Sequence, residues 1–304
     1  MTTGMIVTVT GLLDPADLGP TDAHEHLFLD TPAQPGEGFA DIDHAEAEVE
    51  EGAATGLRGI VELTPIGLGR QPRLLRQVAE STGVAIIAAS GFHRDAHYRP
   101  GDWVLEAAAE ELAERIVDEL REGMDGTGVR AGVIKGGASL DEISSAEERR
   151  LRAIARASRA TGAPMVVHTE AATCAHEIVA LLLEGGAAAD RITLAHMDRN
   201  MDEALHADLV ARGVSLVYDT IGREKYATDD ARLDFIERMV GAGHGASLML
   251  GLDLGRRGYH RAWGGEPGLR HLLGGFVPRL RERIGDGPTD QLLIGNPRRL
   301  LAWA

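Results

Sequence analysis

Residues 164–198 read PMVVHTEAATCAHEIVALLLEGGAAADRITLAHMD, and the fold of the chain can be predicted from the pattern that they contain. Two short apolar runs, PMVVHTE (164–170) and RITLAHMD (191–198), flank a longer amphipathic stretch. Such runs, rich in β-branched residues, are typical of strands, and the stretch between them is long enough for a helix. A strand, a helix and a second strand in succession indicate two parallel strands joined by a helical crossover.

The same unit recurs along the chain, where six further apolar runs alternate with helical patterns. They are TDAHEHLF (21–28), GIVELTP (59–65), VAIIAASG (84–91), RAGVIKGG (130–137), VSLVYDT (214–220) and ASLMLGLDLG (246–255). Their nearly continuous apolar character indicates that both faces of the sheet are covered. Eight such units in roughly 250 residues predict an α/β fold, a (β/α)8 TIM barrel, rather than an open doubly wound sheet.

One crossover helix has ends that can be read from the sequence. Ser145 followed three residues later by Glu148 resembles a capping box, in which each residue satisfies the backbone of the other. Gly162 is a typical helix terminator. We therefore expect a helix over residues 145–161.

Nothing in the composition divides the chain, since no Pro/Ser-rich linker interrupts it. We expect a single (β/α)8 barrel domain over residues 1–304. Its last stretch, DGPTDQLLIGNPRRLLAWA (286–304), is predicted to be a short closing helical segment, with a short helix on either side of Asn296-Pro297.

Charge and composition exclude several classes of function. The formal net charge is −16, which repels a phosphate backbone, so we expect no nucleic-acid partner. Cys174 is the single cysteine, which leaves no internal disulfide and no thiolate zinc cluster. The amino terminus lacks the pattern of a signal peptide, and no run of about 18 apolar residues predicts a membrane span. We expect a cytoplasmic protein that acts on a small-molecule substrate.

Polar residues in the apolar runs cluster at or near the carboxyl end of each predicted strand. In a barrel of this type the carboxyl ends of the strands converge, and active sites lie there. A buried charge without a partner costs several kcal/mol, so these residues should contact one another or a metal. They are His24, His26, Glu62, Lys135, His168, His196, Asp219 and Asp253.

Histidine spacing indicates a metal site. His24 and His26 are two apart on a strand, so both imidazoles can face the barrel interior and bind one ion. His168 and His196 end neighbouring parallel strands, which lie about 4.8 Å apart and allow both rings to share a second ion. Each histidine alone is more often a hydrogen-bonded strand or loop residue, but the two pairs together favour metal. Asp253 supplies a carboxylate that can act as ligand and proton acceptor, or can pair with a nearby arginine.

Lys135 is the unexpected member of the set, because an ammonium group repels metal cations. It must lie elsewhere, lose its proton, or become an anion. A carbamate formed with carbon dioxide would turn it into a carboxylate-like bridging ligand.

The motifs TDAHEHLF, GVIKGG, VVHTE, LAHMDRN and GLDLG resemble the metal-binding motifs of the phosphotriesterase-like family of the amidohydrolase superfamily. The resemblance runs from the first strand to IGNPRRLLAW near the carboxyl terminus. It implies two divalent metal ions per chain, commonly zinc, with manganese, cobalt or iron as alternatives. The implied ligands are His24, His26 and Asp253 for the more buried ion, His168 and His196 for the more exposed ion, and carbamylated Lys135 as a bridge.

The resemblance also implies a mechanism. A hydroxide bridging the two ions would attack the substrate, Asp253 would take up the proton, and Asp219 matches a family position that helps to pass protons outward. Family members are often homodimers, and the sequence leaves the oligomeric state open.

Three predicted loops at the barrel mouth carry cationic and aromatic side chains. In a protein of charge −16 they favour a substrate with a carboxylate or phosphate, although salt bridges between loop residues explain them equally well. The candidate substrate-binding residues are His93, Tyr98, Arg223, Lys225, Arg256 and Tyr259.

We expect a metal-dependent hydrolase that opens a lactone or another carboxylic ester, with an anionic small molecule as substrate. Four alternatives stay open. Two act at the same metal centre: an amidase for N-acyl amino compounds, and a phosphotriesterase, as the main or as a side activity. The third is a non-catalytic barrel that binds a small molecule, which would hold no metal. The fourth is an aldolase or isomerase with Lys135 as a Schiff-base former.

Overall fold

The computed structural model describes residues 3–304 of the chain. A short antiparallel hairpin, β1 (Ile6–Thr8) and β2 (Gly11–Leu13), precedes eight strands that each pair in parallel with the next. This confirms the predicted (β/α)8 barrel. The barrel strands are β3 (Thr21–Glu25), β4 (Gly59–Glu62), β5 (Ala85–Gly91), β6 (Val133–Gly137), β7 (Met165–His168), β8 (Ile192–Ala195), β9 (Ser215–Tyr218) and β10 (Leu248–Leu250).

Helices cover the outside of the barrel, as the crossover pattern predicts. None of the described helices is long and apolar enough to cross a membrane. The helices are α1 (Ile42–Ala54), α2 (Pro72–Thr82), α3 (Trp103–Glu106), α4 (Ala109–Arg121), α5 (Ser145–Thr161), α6 (Ala175–Glu184), α7 (Glu203–Ala211), α8 (Asp229–Gly241), α9 (Val277–Ile284), α10 (Asp286–Asp290) and α11 (Asn296–Leu301).

Helix α5 has the predicted bounds, but its capping box lies one residue earlier than expected. Ser144, not Ser145, accepts a hydrogen bond from the backbone of Glu147, and the Glu147 carboxylate accepts one from the backbone of Ser144. Glu147 is buried and also accepts the hydroxyl of Ser139, whereas Glu148 points outward to an arginine. The extra partners of Glu147 therefore select the register.

The barrel closes between its last and first strands through a backbone contact beyond β10. The Asp253 N–H donates to the His24 carbonyl over 2.8 Å. Gly251 allows this approach, because a Cβ there would lie 2.9 Å from the His24 nitrogen. Asp253 itself lies three residues past the end of β10 with φ 49°, so its placement on the last strand was wrong. The chain leaves the sheet early and turns the carboxylate over the barrel mouth.

The carboxyl-terminal segment is more continuous than predicted. A π-helical turn, Gln291–Gly295, joins α10 to α11, and Asn296-Pro297 begins α11 rather than separating two helices. Pro297 lacks the N–H that a regular α-helix would use at this point, which accounts for the wider turn. The Asn296 amide donates hydrogen bonds to the carbonyls of Gly245 and Leu248. These bonds hold the carboxyl-terminal segment beneath the barrel.

Apolar side chains fill the lower half of the barrel interior. Val61, Ile87, Val133 and Val166 pack there, and Leu301 of α11 covers them from below. Each is nearly or fully buried. Because the lower half is packed with apolar groups, the polar residues of the strands are confined to the carboxyl-terminal rim.

Candidate metal centre

Four histidines lie in contact at the carboxyl-terminal rim of the barrel. The ring centroid of His24 is 5.4 Å from that of His26 and 4.9 Å from that of His196. His168 continues the series, with its ring centroid 4.5 Å from that of His196. All four are at least nine-tenths buried. The structure thus brings together side chains that are 172 residues apart in the sequence.

Asp219 anchors two of these imidazoles from below. Its Oδ2 lies 2.6 Å from His24 Nδ1, and its Oδ1 lies 2.8 Å from His196 Nδ1 and accepts the His196 N–H. Burial alone would raise the pKa of Asp219, but His196 and His24 hold it below its ordinary value. With Nδ1 engaged, the Nε2 atoms of both rings are the ones left for a metal, as in carboxylate–histidine–metal arrangements.

His26 is oriented by a second chain of hydrogen bonds. Its Nδ1 lies 2.8 Å from the Thr64 hydroxyl, which in turn donates to Glu62 Oε1 over 2.5 Å. Its Nε2 faces Asp253, whose Oδ1 is 3.3 Å from it and 3.6 Å from His24 Nε2. Two imidazole nitrogens and one carboxylate oxygen therefore converge within 4.8 Å of one another.

Lys135 extends into the middle of the cluster. It is fully buried, and its Nζ lies 3.1 Å from His24 Nε2. Within residues 3–304, no carboxylate forms an ion pair with this nitrogen. Burial lowers the pKa of Lys135 to about 8, against the opposing effect of Asp253 and Asp219. About a tenth of the amine is therefore uncharged at pH 7, far more than for an exposed lysine.

The protonation states suit metal binding. Burial is the main cause that lowers the pKa of His24 to about 3, and burial also lowers the pKa values of His26 and His168. Neutral imidazole is the form that ligates metals. His168 Nδ1 is buried and has no hydrogen-bond partner among the described residues. An unpaired buried nitrogen on a ring that contacts the imidazoles of His93 and His196 fits a metal ligand.

The cluster forms the floor of a cavity that opens at the barrel mouth. Of the predicted substrate-binding residues, His93, Arg223, Arg256 and Tyr259 line this cavity. Tyr98 does not: it is buried behind the wall, where its hydroxyl accepts the His93 N–H and donates to the Ile66 carbonyl.

Lys225 also does not line the cavity, but it contacts residues that do. It is exposed, and its Nζ donates to the Tyr259 hydroxyl over 2.7 Å. It lies over the ring of Tyr226, which does line the cavity.

Ten lining residues were not among the predicted site residues, and six of these carry a charged, imidazole, amide or phenol side chain. Glu170 and Arg199 follow the candidate metal ligands His168 and His196 by two and three residues, which is the signal that could have revealed them. Loop conformation decides the others, so the strand pattern carries no information on them. The six are Gln34, Arg94, His97, Glu170, Arg199 and Tyr226.

Comparison with known proteins identifies the family. A model of the phosphotriesterase family matches residues 4–301. The chain belongs to the phosphotriesterase family. Within this family it is 31% identical over 320 residues to a phospho-furanose lactonase of Mycoplasmopsis agalactiae, covering 97% of this chain and 91% of that one.

Two further proteins are similar to this chain over nearly its whole length. An N-acetyltaurine hydrolase of Bos taurus is 28% identical over 346 residues, covering 99% of this chain and 98% of that one. The crystal structure of a lactonase from Listeria monocytogenes superposes with a TM-score of 0.94, at 28% identity and 99% coverage of both chains. The predicted family and the prediction of a metal-dependent hydrolase are confirmed.

Proposed function

We propose that this hydrolase holds two divalent metal ions and opens a lactone that carries an anionic group. His24, His26 and Asp253 would hold one ion, His168 and His196 the other, and Lys135, carboxylated on Nζ, would bridge them. The convergence of these groups at one rim supports the assignment. Zinc suits the imidazole-rich ligand set, and manganese, cobalt or iron are the alternatives.

When bound, such a pair of ions supplies a water of lowered pKa and a Lewis acid for the substrate carbonyl. Asp253 would accept the proton that this chemistry releases. Arg223 Nη1 lies 2.9 Å from Asp253 Oδ2, and although burial opposes it, this guanidinium keeps the pKa of Asp253 well below its ordinary value. Asp253 is therefore an ionised carboxylate. Because both oxygens of Asp219 contact imidazoles, we assign Asp219 to orienting them rather than to carrying protons outward.

Arg256 carries the argument for an anionic substrate. Three arginines of the cavity have carboxylate partners: Arg94 and Arg199 pair with Glu170, and Arg223 pairs with Asp253. Among the described residues Arg256 has no such partner, although it lines the cavity. Tyr259, on the same loop, presents a hydroxyl that is already bound by the Lys225 ammonium.

The unpaired guanidinium, the tyrosine hydroxyl and the ammonium together suit a phosphate or carboxylate. The name of the phospho-furanose lactonase relative supports a phosphorylated sugar lactone as the first candidate. In this arrangement the anionic group would bind at Arg256 while the lactone carbonyl faces the metal cluster.

Arg256→Gln should separate anionic from neutral substrates. Loss of a charge-assisted hydrogen bond costs about 1.5–3 kcal/mol, so we expect KM for a phosphorylated lactone to rise about 10- to 100-fold. KM for a neutral lactone of the same ring size should stay within about threefold of the original. Steady-state kinetics on both substrates measures the difference.

Arg257→Gln is the matched control for this experiment. It removes the same charge from the next residue, which is exposed and does not line the cavity. We expect it to leave both KM values unchanged. If Arg256→Gln weakens the two substrates equally, or if Arg257→Gln has the same effect, the anion site is not at Arg256.

Amide hydrolysis is the second candidate, because the N-acetyltaurine hydrolase relative is named for an acylated amino compound. The same metal centre can activate an ester or an amide carbonyl. A panel of phosphorylated lactones, neutral lactones, N-acyl amino compounds and phosphotriesters, tested on zinc-loaded protein, ranks the candidates by kcat/KM. We expect the phosphorylated lactones to rank first, and a higher rank for the acyl amino compounds would favour the amidase.

Carboxylation of Lys135 should depend on pH. Carbon dioxide adds to the neutral amine, and the pKa of Lys135 is about 8, so the reactive fraction grows as the pH rises through 8. At a fixed concentration of dissolved carbon dioxide, we expect metal-free protein to recover two ions about 50-fold faster at pH 8 than at pH 6. Metal content followed over time measures the rate. Equal rates at both pH values, or no dependence on carbon dioxide, would argue against carboxylation.

A further inference from the structure

Glu170 is a carboxylate at the barrel mouth that three side chains share. Its Oε2 lies 3.1 Å from His168 Nε2 and 3.1 Å from Arg94 Nη2, and its Oε1 accepts a hydrogen bond from Arg199. Of these three partners, His168 ends β7, and Arg94 and Arg199 lie in the segments that follow β5 and β8. One side chain thus connects a candidate metal ligand to two cavity arginines.

The contact with His168 determines which ring nitrogen is available. An ionised carboxylate between two guanidinium groups can only accept hydrogen bonds, so His168 Nε2 carries the proton that is shared with Glu170. The lone pair is then on Nδ1, the nitrogen that has no partner among residues 3–304. A carboxylate bonded to the far nitrogen of a metal-binding imidazole fixes its tautomer and orientation.

The contacts with Arg94 and Arg199 have a separate effect. Both guanidiniums line the cavity, and both retain a buried Nε without a partner among the described residues. Glu170 offsets one of their two charges, so the wall on this side attracts an anion less strongly than two free guanidinium groups would. Arg256, without a carboxylate partner, lies in another loop of the same cavity.

We propose that Glu170 is a positioning and specificity-determining residue: it holds His168 for the second metal ion, and it offsets one of the two positive charges of Arg94 and Arg199, which favours Arg256 as the site for an anion. This inference rests on the proposed metal centre. It adds a reason why Arg256, among the four arginines of the cavity, would bind the anionic group of the substrate.

Two substitutions separate the two roles. Glu170→Gln removes the charge, but its amide oxygen still accepts the hydrogen bond from His168 Nε2. Glu170→Ala removes both the charge and the hydrogen bond. Glu142→Gln is the control, because Glu142 is an exposed carboxylate on the loop after β6 that contacts no cavity residue.

Zinc affinity is measured by competition with a chelator, and anion affinity by the inhibition constant of inorganic phosphate on zinc-saturated protein. For Glu170→Ala we expect the weaker of the two zinc ions to bind about 10- to 100-fold less tightly, with the tighter ion unchanged. For Glu170→Gln we expect zinc binding within about threefold of the original. In both variants phosphate should inhibit about tenfold more strongly, because Arg94 and Arg199 are released. Glu142→Gln should change neither constant.

The possible failures can be told apart. If the unsubstituted protein binds fewer than two zinc ions, the proposed metal centre fails and this inference fails with it. If it binds two, and Glu170→Ala binds both with unchanged affinity, Glu170 does not position His168. Unchanged or weaker phosphate inhibition in Glu170→Gln would refute its role in specificity. Thermal unfolding of each variant identifies a loss of zinc that comes from a misfolded barrel.

Discussion

Replacing Lys135 with alanine should abolish the activity, with kcat/KM lower by about a thousandfold or more. The substitution removes the side chain at the centre of the cluster, 3.1 Å from His24 Nε2, and with it the proposed bridge between two ions. Without an anion between them, two cations repel each other. We therefore expect the variant to retain at most one ion per chain, as measured by elemental analysis after gel filtration.

Small carboxylic acids should partly rescue this variant, because acetate or propionate can occupy the space of the missing carbamate. The chain contains only one other lysine, Lys225, which provides the control. Lys225→Ala should keep both ions and respond to neither acid, while its KM for anionic lactones rises. Full activity of Lys135→Ala without added acid would remove the bridge from the mechanism.

The second large effect is expected for Asp253→Asn. The amide has nearly the same shape but cannot accept the proton, and general-base catalysis contributes about 10²- to 10⁴-fold to a rate. It also replaces an anionic ligand with a neutral one beside His24 and His26. We expect kcat to fall by at least about a hundredfold with a smaller change in KM.

Asp30→Asn is the control for charge, since Asp30 is exposed on the loop that follows β3 and lines no part of the cavity. It should leave kcat unchanged. If Asp253→Asn changes KM alone, Asp253 binds substrate and another group accepts the proton.

The barrel and its polar rim were predictable from the sequence because both follow from strand periodicity. Each apolar run forms a strand, and the carboxyl ends of parallel strands meet at one edge. His168 ends its strand, His26 and His196 lie one residue past theirs, and His24 and Lys135 lie one and two residues before theirs. Their convergence could therefore be predicted from their positions in the apolar runs.

Loop residues were harder to predict, because their positions depend on contacts that are not periodic. Tyr98 was expected in the cavity with the other aromatic loop residues, but its hydroxyl bonds to two backbone groups behind the wall. Glu170 was overlooked because its importance comes from Arg94 and Arg199, which are 76 and 29 residues away in the sequence. Asp253 was placed on a strand, although the backbone leaves the sheet three residues earlier.

A crystal structure of the zinc-loaded protein, with anomalous diffraction data collected at the zinc edge, would show directly whether two ions bind at the proposed centre. We expect two anomalous peaks per chain, one among His24, His26 and Asp253 and the other between His168 and His196. The proposed bridge also predicts density for a carboxylate group on Lys135 Nζ that reaches both peaks. A single peak, or an unmodified Lys135 amine still hydrogen-bonded to His24, would contradict it.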